Sequence, residues 1–571
     1  MNPPAGLSRG RGDLRASLLI GLACLLVYNA NLRLISAGDT YPARFLPFGI
    51  WRYGTLTLDP IADTTAQGHP RPYWIAHTRT GHAVSLYPVV LPVVITPLYA
   101  PAVAYLQIRG WDEDRLDRVA QIMEKLIASL LASTGAALLY LLLRRRAKPR
   151  DALLLTVAFA FGTNTWVISS QALWQHGLAE LLLISALLIL TGPCAPFRAF
   201  AAGLLCALLA ANRPPDAILA AALAAYALHW ARRSIVPLAA GAAIPVTLLL
   251  SYNLGITGAL AGGYGVGSVA DPFFFRRALL PGVAGLLFSP ARGLFVFSPF
   301  LLFLPACFPR AFRDRDTRLL TFLLAAAAVA QILLYAKTDW RAGFSWGPRF
   351  LTDLLPLLIW MLVPILVSLR PPGRLIFAAT VGLSVVIQII GAFWYMGTSD
   401  LLIFAADSGP QEMRAAWDLR NTPFLEELRH GPAPRGLRGR FKPTSAPLRG
   451  LSPARGNIDR MAASTAPVVT VAAGTDVLLE GWALDGHSTP AAVLVTVDGR
   501  LSAATEVFFD RRDVRVRLQE ASPAGWRARI LSKDLRPGEH EILASVRVRG
   551  SASLYPLRTR KLIVVPAEPG R

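Results

Sequence analysis

The sequence predicts an α-helical polytopic membrane protein that ends in a β-sandwich, and three observations carry that prediction. Only 16% of the 571 residues are charged and 53% are hydrophobic, where a soluble chain carries about 25% charge. Apolar runs of about 20 residues, enough to cross a hydrocarbon core of roughly 30 Å, recur from Ser17 to Tyr395. After Gly397 the runs stop, and from about Val468 apolar and polar residues alternate with the period of a half-buried strand. A soluble enzyme, a secreted disulfide scaffold and a simple nucleic-acid binder are excluded.

The net charge of +22 therefore speaks first about loops, since Lys and Arg accumulate on the cytoplasmic side of a membrane protein. Arginine does nearly all of this work, with lysine only at Lys125, Lys148, Lys337, Lys442, Lys533 and Lys561. Arg9, Arg11 and Arg15 precede the first apolar run, and no small-residue cleavage site follows it. Residues 1–15 read as a cytoplasmic N-terminus ahead of an uncleaved signal-anchor. The membrane domain, 16–397, then opens with an extracytoplasmic loop, 36–118. Within that loop Tyr87–Ile108 is apolar but broken by Pro88, Pro92, Pro97 and Pro101, and proline removes a donor and clashes with the preceding turn.

Charge decides whether that segment crosses. If it does not, Arg144–Arg150, Arg232–Arg233, Arg310–Arg318 and Arg370–Arg374, with 5, 2, 4 and 2 basic residues, all lie inside. If it does, all four lie outside. The expectation is eleven spans, near 16–35, 119–143, 151–170, 177–197, 198–212, 216–232, 235–254, 291–309, 319–336, 350–369 and 374–396, plus a Pro-rich juxtamembrane or re-entrant segment. The odd count puts the C-terminal domain outside a bacterial inner membrane. Cys24, Cys194, Cys206 and Cys307 lie in or beside apolar runs with no Cys-x-x-Cys spacing, so they read as small apolar residues.

Residues 398–467 are rich in Gly, Pro and Arg and read as a linker. Seven basic residues and one acid fall between Arg435 and Arg460; contact with anionic headgroups or a solvated tether both fit. From 468 to 571, Val477-Leu-Leu-Glu-Gly-Trp-Ala, Val493-Leu-Val-Thr-Val and Glu541-Ile-Leu-Ala-Ser-Val-Arg-Val are strands separated by turns such as Asp498-Gly499 and Pro537-Gly538. With Gly481-Trp-Ala-Leu-Asp485, this end resembles small β-sandwich modules appended to bacterial glycosyltransferases. Trp482 and Trp526 are either sugar-stacking platforms or core residues.

The first outer loop reads Ser36-Ala-Gly-Asp-Thr-Tyr-Pro-Ala-Arg-Phe-Leu-Pro-Phe48, then Gly54-Thr-Leu-Thr-Leu-Asp59. An acid directly after the first span, followed by Arg on a short amphipathic stretch, resembles the membrane-embedded glycosyltransferases of the GT-C superfamily. Within it the protein mannosyltransferase and aminoarabinose transferase branch is the nearer likeness. Gly81-His-Ala-Val-Ser-Leu-Tyr-Pro88, Leu173-Trp-Gln-His-Gly177, Asn212-Arg-Pro-Pro-Asp216, Phe288-Ser-Pro-Ala-Arg-Gly-Leu294 and Trp346-Gly-Pro-Arg-Phe350 fit the same picture on the same side. The resemblance spans roughly residues 16–396. It implies that Asp39 is the general base acting on the acceptor, with a helix-end cap as the alternative.

The first loop lacks the paired acids of some branches, and no His/Asp cluster has metal-ligand spacing. No cofactor is assigned, and a divalent metal has no support. The implied partners are a polyprenyl-phosphate sugar donor, membrane lipids and an envelope glycan or protein acceptor, with no nucleic acid. Arginine presents a planar fork that suits phosphate oxygens, so Arg213, Arg292 and Arg349 are donor-phosphate candidates; interfacial anchoring is the alternative for each. Arg44, Tyr87, His176 and Asp339 are acceptor or substrate candidates, and His176 beside Trp174 equally suits an interfacial aromatic belt. Gly258-Ala-Leu-Ala-Gly-Gly-Tyr-Gly-Val-Gly267 follows an apolar helix rather than a strand, so it reads as an outer lid, not a nucleotide loop. Competing readings are a flippase or transporter of lipid-linked glycans, disfavoured by charges gathered at one face, and a non-catalytic glycan-binding membrane protein.

Overall fold

A computed structural model describes residues 10–67, 72–266, 277–305, 312, 317–397, 399–400, 403, 415–419, 422–429, 432–433 and 454–566, except 519–521, 533–534 and 549–553. Cys307, Gly267, most of Arg310–Arg318 and the basic stretch 434–453 lie outside the described residues.

The first part of the chain is helical. In order come α1 Arg11–Asn29, α2 Tyr41–Tyr53, α3 Ala62–Ala66, α4 Val90–Ile95, α5 Ala100–Arg109, α6 Glu113–Leu143, α7 Pro149–Gly162, α8 Gln175–Leu190, α9 Pro196–Asn212, α10 Ala217–Trp230 and α11 Ile235–Tyr252. Then follow α12 Gly263–Val266, α13 Leu279–Phe288, α14 Leu294–Phe297, α15 Arg318–Ala336, α16 Leu355–Ser368, α17 Pro371–Trp394 and α18 Pro423–Arg429. By length and composition seven helical stretches among the described residues suffice to cross a membrane. Helices α8, α9 and α13 are shorter but equally apolar. The chain is a multi-pass membrane protein.

Side-chain ties define two ends of this bundle. At one end Arg144 donates to Asp13 (2.8 Å), Arg145 reaches Thr191, Arg374 pairs with Asp151, and the Trp230 indole donates to Gly192 O (2.9 Å). At the other, Asn31 donates to Gln171 (2.7 Å) and Ala392 O (2.9 Å), and Lys125 donates to Tyr28 O (2.8 Å). Helices α1, α6, α7, α8, α9, α10, α11, α15, α16 and α17 alternate between these ends. The descent from α11 to α15 runs through α13, α14 and a 3-10 turn, Pro299–Phe303. Among the described residues seven stretches are long and apolar enough to span, against the eleven passes expected. Helices α9 and α11 meet at glycines: a Cβ on Gly203 would lie 1.9 Å from Leu238 O, and one on Gly241 1.9 Å from Phe200 O. Such backbone contact is the packing that small residues allow between membrane helices.

Val90–Arg109 also qualifies as a span by length and composition, but it does not run straight. Thr96–Tyr99 is a 3-10 turn between α4 and α5, the Trp51 indole of α2 donates to Thr96 O (2.8 Å), and Phe48 meets Tyr99 edge-on at 5.0 Å. Gln175 at the start of α8 reaches Pro88 O (3.4 Å), and Arg115 near the start of α6 donates to Gly110 O (3.1 Å). Both ends of the segment therefore sit at one end of the bundle, as expected of a Pro-rich juxtamembrane piece. Helix α6, with 31 residues, is about 47 Å long, so its first turns project beyond a 30 Å core. Asp112 caps it by accepting from Arg115 N at 2.9 Å.

Strands β1 Ile75–His77 and β2 Ala83–Ser85 form an antiparallel hairpin in the first loop. The C-terminal strands are β3 Ala454–Met461, β4 Val468–Ala472, β5 Asp476–Asp485, β6 Ala492–Val497, β7 Arg500–Thr505, β8 Gly525–Leu531, β9 Gly538–Arg547 and β10 Leu554–Val565, with helix α19 Arg512–Leu518 between β7 and β8. They make a five-stranded sheet, β4-β10-β9-β6-β7, and a three-stranded one, β3-β5-β8. Ile458, Val477, Val493, Trp526, Ile542 and Leu562 fill the space between them, so the expected sandwich is present. Asp498 and Gly499 both have positive φ (50° and 74°), as the two-residue β6–β7 hairpin requires.

Two boundaries are corrected. The sandwich begins at Ala454 rather than 468, because β3 pairs with β5; its Arg, Gly and Asn residues hide the period-two pattern. The described part of 398–433 is not a free linker. Glu427 of α18 accepts from Ser399 N (3.0 Å) and Met396 N (2.9 Å), and Ala433 N donates to Phe393 O (3.0 Å). Trp526 is a core residue and not a sugar platform, whereas Trp482 is half-buried.

Candidate functional site

Asp39 lies in a 3-10 turn, Gly38–Thr40, just ahead of α2. Its Oδ1 accepts from the hydroxyls of Tyr73 (2.6 Å) and Tyr87 (2.7 Å), and its Oδ2 from Arg349 Nη1 (2.7 Å). Burial works to raise this carboxyl. The Arg349 charge and the hydrogen bonds from Tyr73, Tyr87 and Arg349 outweigh it, holding Asp39 below its ordinary value. Burial beside the Asp39 charge pushes both phenols up, so they remain donors.

Arg349 opens a 3-10 turn, Arg349–Leu354, that leads into α16. Ahead of it the loop 339–348 bends through positive φ at Ala342, Gly343 and Gly347. Only glycine fits at 347, where a Cβ would lie 2.7 Å from the Phe297 ring and 2.9 Å from Asn164 Oδ1. The Arg349 guanidinium also donates to Ala342 O (2.7 Å) and lies over the Trp174 ring, 4.4 Å from its centroid. Arg349 Nε and Trp174 Nε1 are buried donors with no partner among the described residues.

Four residues after Arg349, Asp353 holds a second ionic group. It pairs with Arg213, and its Oδ1 meets His176 Nδ1 at 2.8 Å. Arg213 also stands 3.6 Å from Asp216, which accepts from Gln331 at 2.7 Å, and covers the Tyr335 ring at 5.5 Å. Tyr335 stacks on Phe350 at 4.5 Å, which ties the two groups together. The result is a row of ionisable side chains at one end of the bundle, the end opposite Arg144 and Arg374.

The structure brings together five of the eight expected site residues: Asp39, Tyr87, His176, Arg213 and Arg349. Three stand apart. Arg44 is 2% exposed, paired with Glu124 and bonded to Ser36 Oγ (2.9 Å); it fastens α2 to α6. Arg292 is fully buried, pairs with Asp400, and donates to Arg341 O (2.7 Å), Ala291 O (3.0 Å) and Gly343 O (3.2 Å). It supports the loop that carries Arg349 rather than presenting donors to a phosphate. Asp339 accepts from Arg341 (2.6 and 2.8 Å) with its side chain 39% exposed, at the edge of that loop.

Tyr73, Asp216 and Asp353 belong to the row and Trp174 lies under Arg349; the sequence marks Asp216 and Asp353 as unusual polar residues of the outer face without giving them a role. Asp353 had a usable signal, its i+4 spacing from Arg349; Tyr73, in an irregular loop, had none. The glycine-rich loop packs against the β1–β2 hairpin. A Cβ on Gly263 would lie 2.1 Å from Ser85 O, and Tyr264 meets Tyr87 edge-on at 5.9 Å. Among the described residues no group of three His, Cys, Asp or Glu side chains is placed to hold a metal.

Fold and site together define a multi-pass membrane protein with a row of ionisable groups at one end of its helices. No family model matches the chain, and no curated protein matches it. Similar solved structures include the following two. ArnT from Cupriavidus metallidurans in the apo state is 15% identical, covering 73% of this chain and 85% of that one, with a TM-score of 0.36. The Archaeoglobus fulgidus oligosaccharyltransferase in the apo form is 12% identical, covering 77% of this chain and 61% of that one, also at 0.36. At that distance neither assigns a role to any residue here.

Proposed function

We propose that the protein is a glycosyltransferase that moves a sugar from a polyprenyl-phosphate donor to an extracytoplasmic acceptor. The observation that carries the reading is a carboxylate and an arginine joined at 2.7 Å, with Arg349 Nε and Trp174 Nε1 left as buried unpaired donors beside them. An anionic oxygen between them completes both donors. Arg349 then holds the donor phosphate and offsets the charge that grows on it as it leaves. Asp39 accepts the proton of the acceptor hydroxyl as that oxygen attacks the anomeric carbon. Attack from the face opposite the phosphate inverts the configuration. In this reading Arg213, tied to Asp353, meets the rest of the donor headgroup.

The other end of the bundle carries Arg144, Arg145, Arg146, Lys148, Arg150, Arg198, Arg232, Arg233, Arg370 and Arg374. The positive-inside rule places that end in the cytoplasm and the site outside. Native Cys194, exposed between α8 and α9, reports on it. With the other three cysteines replaced, an impermeant maleimide is expected to label Cys194 only after permeabilisation; labelling in intact cells reverses the orientation.

Arg349 tests the chemistry. Arg349→Ala is expected to lower transfer to envelope glycans about 10²–10³-fold. Arg349→Lys, which keeps the charge without the fork, is expected to stay at least about tenfold down. Mass spectrometry of envelope glycans reads both, and wild-type glycan in both variants removes the reading.

A further inference from the structure

The Asp39 carboxylate already accepts three hydrogen bonds, one from Arg349 on Oδ2 and two, from the phenols of Tyr73 and Tyr87, on Oδ1, so a hydroxyl approaching Oδ1 displaces one phenol. The two are not equally held. Tyr87 is half-buried, its backbone N donates to Ser85 Oγ (3.1 Å), and its ring meets Tyr264 and packs on the small cluster of Ala76, Val84 and Leu86. Tyr73 is 56% exposed although its hydroxyl reaches inward. Next to it Trp74 is fixed, 3% exposed, donating through its indole to Thr65 O (2.9 Å) and through its backbone O accepting from Leu86 N (3.0 Å). Tyr73 therefore leaves Asp39 by rotating one side chain on an anchored backbone, a motion of picoseconds to nanoseconds for an exposed residue.

A second observation shows that the contact is built in. A Cβ on Gly38 would lie 2.3 Å from the Trp74 ring and 2.8 Å from the Tyr73 hydroxyl. The residue before Asp39 has no side chain where the Tyr73–Trp74 pair crosses it. We infer that the Tyr73 phenol is a resident stand-in for the acceptor hydroxyl, covering Asp39 until an acceptor replaces it. The inference rests on the transferase reading. In that reaction the incoming hydroxyl takes the Tyr73 position and its oxygen forms the new bond to the anomeric carbon. The bond from that carbon to the phosphate oxygen breaks, its electron pair leaves with the lipid phosphate, and the proton passes to Asp39. Tyr73 swings back once the product departs.

The test uses full-length protein in detergent, a water-soluble carbodiimide with a glycine ester as the probe, and mass spectrometry of the Asp39 peptide. Tyr73→Phe releases an exposed ring from its one inward bond and is expected to raise labelling of Asp39 about fivefold. Tyr87→Phe keeps a packed ring over the carboxylate and is expected to raise it less than about twofold. Unchanged labelling in Tyr73→Phe, or equal labelling in the two variants, overturns the inference. Should Asp39→Asn keep the glycan, the transferase reading falls, while the labelling comparison still decides which residue covers Asp39.

Discussion

Asp39→Asn is expected to lower sugar transfer by about 10²–10⁴-fold, the range a general base supplies, and to leave the protein folded. The amide keeps the volume and the oxygen that accepts from Tyr73 and Tyr87, but it cannot take a proton. The wild-type pH profile carries the same information. Asp39 is held below its ordinary value chiefly against burial by Arg349, so its charged form is favoured in the folded protein. Its contribution to stability is present above the unfolded value, about 3.9, and is lost as pH falls through the lower folded one. Transfer is therefore expected to be insensitive to Asp39 titration at neutral and mildly acidic pH, with the acid limb below the ordinary Asp range. Arg349→Ala should move that limb upward, and a limb that stays in place contradicts the pairing.

The second large effect is on stability. Arg44→Ala leaves Glu124 fully buried without its ionic partner, and breaking such a pair by removing one partner costs about 3–5 kcal/mol. Arg44 also lies over the Tyr41 ring at 4.5 Å, so packing is lost with the charge. The double replacement Arg44→Met with Glu124→Leu is expected to recover most of the loss, because no lone ion remains. Thermal melts in detergent read both. A stable Arg44→Ala protein with impaired transfer would instead return Arg44 to the substrate site.

Much of the fold was legible because its signals are local. Runs such as Leu355–Ser368 and Pro371–Trp394 announce themselves by composition, and the basic loops set the alternation of the passes. The hairpin at Asp498-Gly499 needs only the two residues it contains. β3 was missed because its partner β5 lies in another part of the chain, and Arg455, Gly456 and Asn457 do not alternate in polarity. The start of α18 was missed for the same reason: Glu427 is explained by Met396 and Ser399, not by its neighbours.

The site was legible in kind more than in membership. Asp39 and Arg349, 310 positions apart, were each singled out by residue type and sidedness, and the structure joins them. Arg292 looked equivalent to Arg349 in sequence, and Arg44 looked like an acceptor ligand. Glu124 and Asp400 hold Arg44 and Arg292 in the structure; Arg349 is paired too, with Asp39, and differs in its buried Nε, which has no partner among the described residues. Tyr73 could not be found beforehand, since its role depends on the missing side chain at Gly38.

One measurement tests the central claim most directly: mass spectrometry of envelope glycans in a deletion strain complemented with either the wild-type protein or Asp39→Asn. A glycan lost on deletion is expected to return with the wild type and to stay absent with Asp39→Asn present at equal level in the membrane. Full restoration by the folded Asp39→Asn protein would contradict a carboxylate-driven transfer at this site.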